Sequence, residues 1–360
     1  MPPSYAGALR GLILFEIAEG VRLEAIRPAI HSPLREPNFS RPAPGYVRFE
    51  SPPVEERLGA LDPGSDESYE VRLRYYDAGV VCVELELRAE GPLSRWLELS
   101  ARWFTQVDSF VRRAEELVRA ATIRHAGAFV RPYEPWIDED YLILFLQRRP
   151  ELSAQELLAQ SGAEIAQLVR GETQPLSAGE AEEILSSARS YYPNDLLVTA
   201  WGAAFVYDDA AQAAPTLQLL EHANLQLIEF RRYDEILTRV LADVYRLMDR
   251  GTGPVQRWRL RREAARLNAI RLDVAELAER QDNSIKFLSD MFEARVHRLM
   301  LQRVGANDWR RLVDEKLRTG RELYEFLVNE FHHARSFVLE SMIVLILIID
   351  LYYLFREKGL

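Results

Sequence analysis

Two short runs of carboxylates are the side chains best placed to do chemistry. Asp138, Glu139 and Asp140 lead into the apolar segment YLILFL at 141–146, and Asp208-Asp209 closes a second apolar segment. Carboxylates gathered at strand ends could hold a divalent cation or act as an acid–base pair. Asp138, Asp140 and Asp208 therefore define one reading, a metal-dependent hydrolase, which requires the three to converge. The histidines are His31, His125, His222, His297, His332 and His333. None forms a helical His-x-x-x-His pair with a glutamate, and a single cysteine leaves no Cys/His metal spacing. Glycine-rich phosphate loops, a Walker lysine and the nucleophile-elbow pattern are all missing from the sequence. The residues thus name no catalytic group, no cofactor and no metal ligand set.

The densest basic run is Arg257, Arg259, Arg261, Arg262, Arg266 and Arg271. It could meet anionic lipid head groups or RNA phosphates. Glu263 and Asp273 within it favour the solvated face of a long helix instead. The net charge of −10 argues against the whole chain binding nucleic acid, so RNA or ribosome contact is a minor expectation.

The segment at 337–355 is aliphatic without interruption from 342 to 349, and roughly 28 Å long as a helix. Glu340 and Asp350 lie inside it. Each charge costs about 2.5–3.5 kcal/mol near a bilayer centre, against about −0.3 to −0.6 for each aliphatic residue, so insertion is favoured narrowly. Glu340, Ile343, Ile346, Leu347, Asp350, Tyr352 and Tyr353 are the residues of interest. They would serve either a single-pass membrane anchor or the shared apolar core of a homo-oligomer. Tyr352-Tyr353 and the basic flank Arg356 and Lys358 fit a membrane interface.

The elements that would position these groups can be read in order. With 360 residues, 48% hydrophobic and 28% charged, the chain is globular and long enough for two domains. Its one cysteine, Cys82, sits in a strand-like stretch, which reads as a buried thiol and fits a reducing compartment. The first twenty residues read as a strand rather than a signal peptide. Residues 69–75 and 81–87 alternate apolar with charged about a turn at 77–79, a hairpin covered on one side. On that reading Val81, Val83, Leu85 and Leu87 are buried, with Glu84 and Glu86 in water. A helix over 93–122, bent before Thr105, follows. Ser153 with Glu156, and Ser177 with Glu180, have capping spacing, the second for a helix reaching residue 191. Residues 196–198 and 203–207 form a second hairpin. Beyond 210 the pattern is helical, with stop signals at 251–254 and 305–308.

The resulting fold class is α+β: antiparallel hairpins with helices on one face over 1–210, a long-helix antiparallel bundle over 211–336, and an apolar C-terminal helix over 337–355. A full hairpin of the last two helices about Gly305 would set the arginine run beside the apolar terminus. Arginines cannot follow a helix into hydrocarbon, so either the chain bends near 282–283 or the apolar segment stays out of a bilayer.

Four blocks carry a resemblance. They are YYDAGVVCVELEL, NDLLVTAWGAAFVYDD, HANLQLIEFRRYDEIL and KLRTGRELYEFLVNEFHHARSFVLESMIVLILIIDLYYLF. Together, over roughly 73–360, they resemble the "required for meiotic nuclear division" family, a domain of unknown function whose eukaryotic members include mitochondrial inner-membrane proteins supporting translation. The resemblance implies a membrane-anchored, oligomer-forming, non-enzymatic scaffold and supplies no catalytic residues. The acidic net charge and the lack of a presequence depart from the mitochondrial members. The expectation is therefore a scaffold on the cytoplasmic face of a bacterial inner membrane, held by one C-terminal span. The soluble oligomer and the hydrolase stand as alternatives.

Overall fold

The computed structural model describes residues 3–30, 52–61, 67–249 and 291–357, with part of a helical stretch between 262 and 275. Strands β1 (Tyr5–Val21), β2 (Val54–Leu61), β3 (Tyr69–Tyr75), β4 (Val80–Gly91), β5 (Phe129–Gln147), β6 (Leu196–Thr199) and β7 (Ala203–Asp208) form one sheet. Their order is β2-β3-β4-β1-β5-β7-β6. Every neighbouring pair is antiparallel except β5 and β7, which run parallel with Leu142 opposite Ala203 and Gln147 opposite Asp208.

The β3–β4 hairpin turns at the expected place. Gly79 takes φ +87°, a conformation that L side chains rarely adopt, and a Cβ there would meet the Ala18 carbonyl. Helices are α2 (Leu93–Arg124), α3 (Ala154–Arg170), α4 (Ala178–Leu185), α5 (Ala210–Asp249), α6 (Met291–Arg303) and α7 (Ala306–Glu357). At α3 the capping box is complete, with Ser153 and Glu156 each bonded to the other's backbone N–H. No bend interrupts α2, because the Thr105 hydroxyl donates back to the Ala101 carbonyl and sits within the helix. In contrast α4 stops six residues short of expectation. There Ser186 and Ser187 donate to the carbonyls of Glu183 and Ile184, and Arg189 pairs with Leu197 as a β-bridge.

The sheet is covered on both faces, not one. Leu9, Ile13, Val83, Leu85, Leu144 and Phe205 point towards α2, α3 and α4. Leu14, Val80, Tyr141, Ile143, Ala204 and Val206 point the other way, towards Leu220, Ala223 and Leu227 of α5 and Val296 and Met300 of α6. This explains why β1 and β5 read as continuous apolar runs rather than alternating ones. Two compact units result: residues 1–232 with 276–310, which hold the sheet, and residues 233–275 with 311–360. Within the second unit Leu237, Val240, Val244, Ile270, Val274 and Val313 are buried. Lys316 there donates to Asp234 and Thr238, at 2.5 and 2.6 Å. The structure is thus mixed α+β, and the described residues do not show the long antiparallel bundle.

Among the described residues no helix is long and apolar enough to cross a membrane. This overturns the membrane-anchored scaffold, the transmembrane helix and the cytoplasmic-face location expected from the sequence. In α7 the described aliphatic side chains cover only residues 342–349, about 12 Å of helix against a hydrocarbon core of about 30 Å.

Gly11 marks the tightest helix–sheet approach. A Cβ on it would lie 1.9 Å from the Trp103 ring, which is fully buried against β1. Gly11→Ala should therefore cost about 1–3 kcal/mol by overpacking, seen as a lowered urea midpoint, whereas the same change at exposed Gly179 should be near neutral.

Candidate functional site

The two carboxylate runs do not meet. Asp208 pairs in register with Gln147, seven residues along β5 from Asp140, so the clusters stand roughly 23 Å apart at about 3.3 Å per residue. A two-metal site needs its ions about 3.5–4 Å apart. The alternation of β5 also divides the first run. Asp138 and Asp140 feel Asp108 and, for Asp138, Glu115, both from α2. Glu139 instead pairs with Arg231 of α5. Burial pushes the Glu139 carboxyl up to about 7, with Arg231 pulling against it. Burial likewise raises Asp208 to about 6, with Asp195 adding to the rise. Asp209 is engaged by Arg148 and Gln147. Among the described residues no group of three or more His, Cys, Asp or Glu could hold a metal ion. The hydrolase reading loses its geometry.

What the fold does assemble is a network of charge beneath α5. Arg72 and Arg74 on β3, Glu84 and Glu86 on β4, and Arg10 on β1 project from one face of three adjacent strands. Glu84 is 1% exposed and Glu86 is 3% exposed. They are therefore not the wet residues expected of a one-sided sheet. Arg72 reaches Glu86 at 3.0 Å and Glu84 at 3.7 Å, and Arg10 reaches the same two at 3.5 and 3.7 Å. Arg74 contacts Glu84 and, across the layer, Glu221 of α5. The Tyr76 hydroxyl donates to that same Glu221. Burial would raise the Glu84 pKa, but Arg74, Arg10 and Arg72 outweigh it and hold the carboxyl below its ordinary value. Cys82, beside this network, is buried, and burial pushes its thiol well up, as expected of an inert core cysteine.

A second polar feature lies in the same α5–α6 layer. The rings of His222 and His297 stand 5.6 Å apart with 26° between their planes. Burial depresses both, to about 4 and about 3, and His222 lowers His297 further. Both are therefore neutral near pH 7.

Of the residues singled out in the basic run, Arg262 and Arg266 are exposed helical residues, while Arg257, Arg259 and Arg261 lie outside the described residues. In α7, Ile343, Ile346 and Leu347 are 57%, 52% and 60% exposed. Glu340, Asp350, Tyr352 and Tyr353 fall on the same helix, with side chains outside the described set.

A family model described as "Uncharacterized protein MJ0711, N-terminal domain" matches residues 6–213. The chain is also 16% identical over 287 residues to "Uncharacterized protein MJ0711" of Methanocaldococcus jannaschii, covering 80% of this chain and 82% of that one. No solved structure matches. The family match spans β1 to the start of α5 and so includes the sheet and most of the charge network, while Glu221 lies beyond it.

Two outcomes test this layer. Glu84→Ala strips the shared partner from three arginines and should cost about 3–5 kcal/mol in denaturant unfolding. His222→Leu should change how stability depends on pH. The native histidine resists protonation down to about 4, whereas the unfolded one protonates near 6.5. The wild type must therefore lose stability relative to the variant as pH falls from about 6.5 to 4, by about 1.4 kcal/mol per pH unit. Parallel stability curves for the two proteins over that range would contradict the buried neutral state.

Proposed function

This chain belongs to the family of the N-terminal domain of uncharacterized protein MJ0711, and we propose that it acts by self-assembly, copies joining through the aliphatic run of α7. The observation that carries this reading is the exposure of residues 342–349, each between 46% and 60%. Eight consecutive residues make more than two helical turns, so apolar surface faces outward in every direction. A helix apolar all round belongs inside a protein core or a lipid phase. With membrane crossing set aside, a core made of further copies of the same helix accounts for the run.

The magnitudes agree. Each of the eight side chains, already about half covered, would bring roughly half of the 1.5–3 kcal/mol that full burial provides, on the order of 6–12 kcal/mol per chain. Association costs about 4–15 kcal/mol in lost freedom, so several neighbours are needed, and one paired helix would cover a single stripe. The assembly is larger than a dimer. The long-helix region over 211–336 and the terminal segment over 337–355 would supply its shared bundle. The resemblance over 73–360 to a family implying oligomer-forming scaffolds supports the same reading, as does the separation of the carboxylate clusters.

Light scattering on the full chain in detergent-free buffer should give a discrete species heavier than a dimer. Ile346→Asp with Leu347→Asp should reduce it to a monomer of unchanged helical content. A wild type that is monomeric at micromolar concentration would end this reading.

A further inference from the structure

The His222–His297 pair is unexplained by self-assembly. His222 sits in α5, one helical turn before Gln226, whose amide nitrogen lies 2.9 Å from the His222 Nε2. His297 comes from α6, is 1% exposed, and neither of its ring nitrogens has a hydrogen-bond partner among the described residues. Leaving such atoms unpaired costs about 1–3 kcal/mol each, and a leucine would avoid that cost. The surroundings are apolar, with Ala223, Val296 and Met300 in the same buried cluster. Met300 is fully buried and one turn beyond His297, on the same face of α6.

We propose that this seam is a site for monovalent copper, held by His222 and His297 and completed by the Met300 thioether. The spacing fits. An imidazole nitrogen lies about 2.0 Å from a bound metal and about 1.1 Å from its own ring centre. Two such arms whose ring centres are 5.6 Å apart then subtend roughly 120–130° at the metal, the angle of a three-coordinate centre. Ligand chemistry selects the ion. Two neutral imidazoles and a thioether are soft or borderline donors, which favour Cu(I). The shifts of both histidines have burial as their main cause and no carboxylate among the others. A divalent ion would thus carry two uncompensated charges into an apolar layer, where the cost rises with the square of the charge. Neutral imidazoles present their lone pairs without first losing a proton, so binding releases none and varies little between pH 6 and 8.

The test uses the full chain, stripped of metal and handled without oxygen. Titration with Cu(I) against a chromophoric Cu(I) chelator should show one ion per chain. X-ray absorption should show two nitrogen neighbours and one sulfur neighbour at about 2.3 Å, a typical metal–sulfur distance. His222→Leu and His297→Leu should each abolish binding. Met300→Leu, which conserves volume, should weaken it about tenfold or more and remove the sulfur signal. Cys82→Ala should leave both signals unchanged. Should a leucine variant fail to fold, the wild-type absorption spectrum and Met300→Leu still decide the question. No uptake, binding that survives His297→Leu, or a preference for Zn(II) over Cu(I) would each overturn the assignment.

Discussion

The constraint on which the rest of the structure depends is burial of the central sheet on both faces. Strands β1, β4 and β5 carry large apolar side chains up and down, so α2, α3 and α4 must cover one face while α5 and α6 cover the other. Once the second face is closed, every charge on it must find a partner within the layer, since an isolated buried ion costs several kcal/mol. Arg10, Arg72 and Arg74 meet Glu84 and Glu86 for that reason, and Glu221 ties the group to α5. A network of this kind gains little stability over an apolar core, but it penalises misregistered strands severely. Shifting β4 by one residue against β3 would set Glu84 and Glu86 into the opposite, aliphatic layer.

The same layer shows two ways of treating buried polarity. At the β3–β4–β1 end, opposite charges are close and hydrogen-bonded, and Glu84 stays ionised. At the α5–α6 seam, burial without an opposing charge drives the two histidines to their neutral form. One arrangement holds position. The other leaves donor atoms with lone pairs, which is why it invites a ligand. The carboxylates at the ends of β5 belong to neither class. They border solvent, and each run is engaged by arginine, Arg231 at one end and Arg148 at the other.

Much of the local structure was legible from residue types alone. Gly79 in the hairpin turn, the Ser153–Glu156 capping box and the β6–β7 hairpin are set by short-range sterics and hydrogen bonds, so neighbours in the sequence suffice to find them. The helix over α2 was legible too, but its continuity at Thr105 depends on where a hydroxyl turns. The identity of the face opposite Val83 and Leu85 was misread. Alternation in β3 and β4 does not distinguish water from a second layer that supplies counter-charges. A signal was present: Arg72 and Arg74 fall opposite Glu84 and Cys82 in register, and the neighbouring β1 is apolar on both sides.

The sequence by itself determined which segments are strands and helices, where they turn, that the chain is acidic, and that an aliphatic run stands near the C-terminus. Those properties follow from composition and from contacts a few residues apart. Tertiary structure alone decided that the sheet is covered twice, that Glu84 and Glu86 are buried, that Asp140 and Asp208 are held apart by seven residues of one strand, and that His222 meets His297. Each of these joins, or separates, residues 10 to 75 or more positions apart. Their proximity depends on strand order and helix placement, which no local pattern encodes. The aliphatic run shows the division most plainly. Its composition fits lipid and protein cores equally, and only its length and exposure in the folded chain discriminate between them.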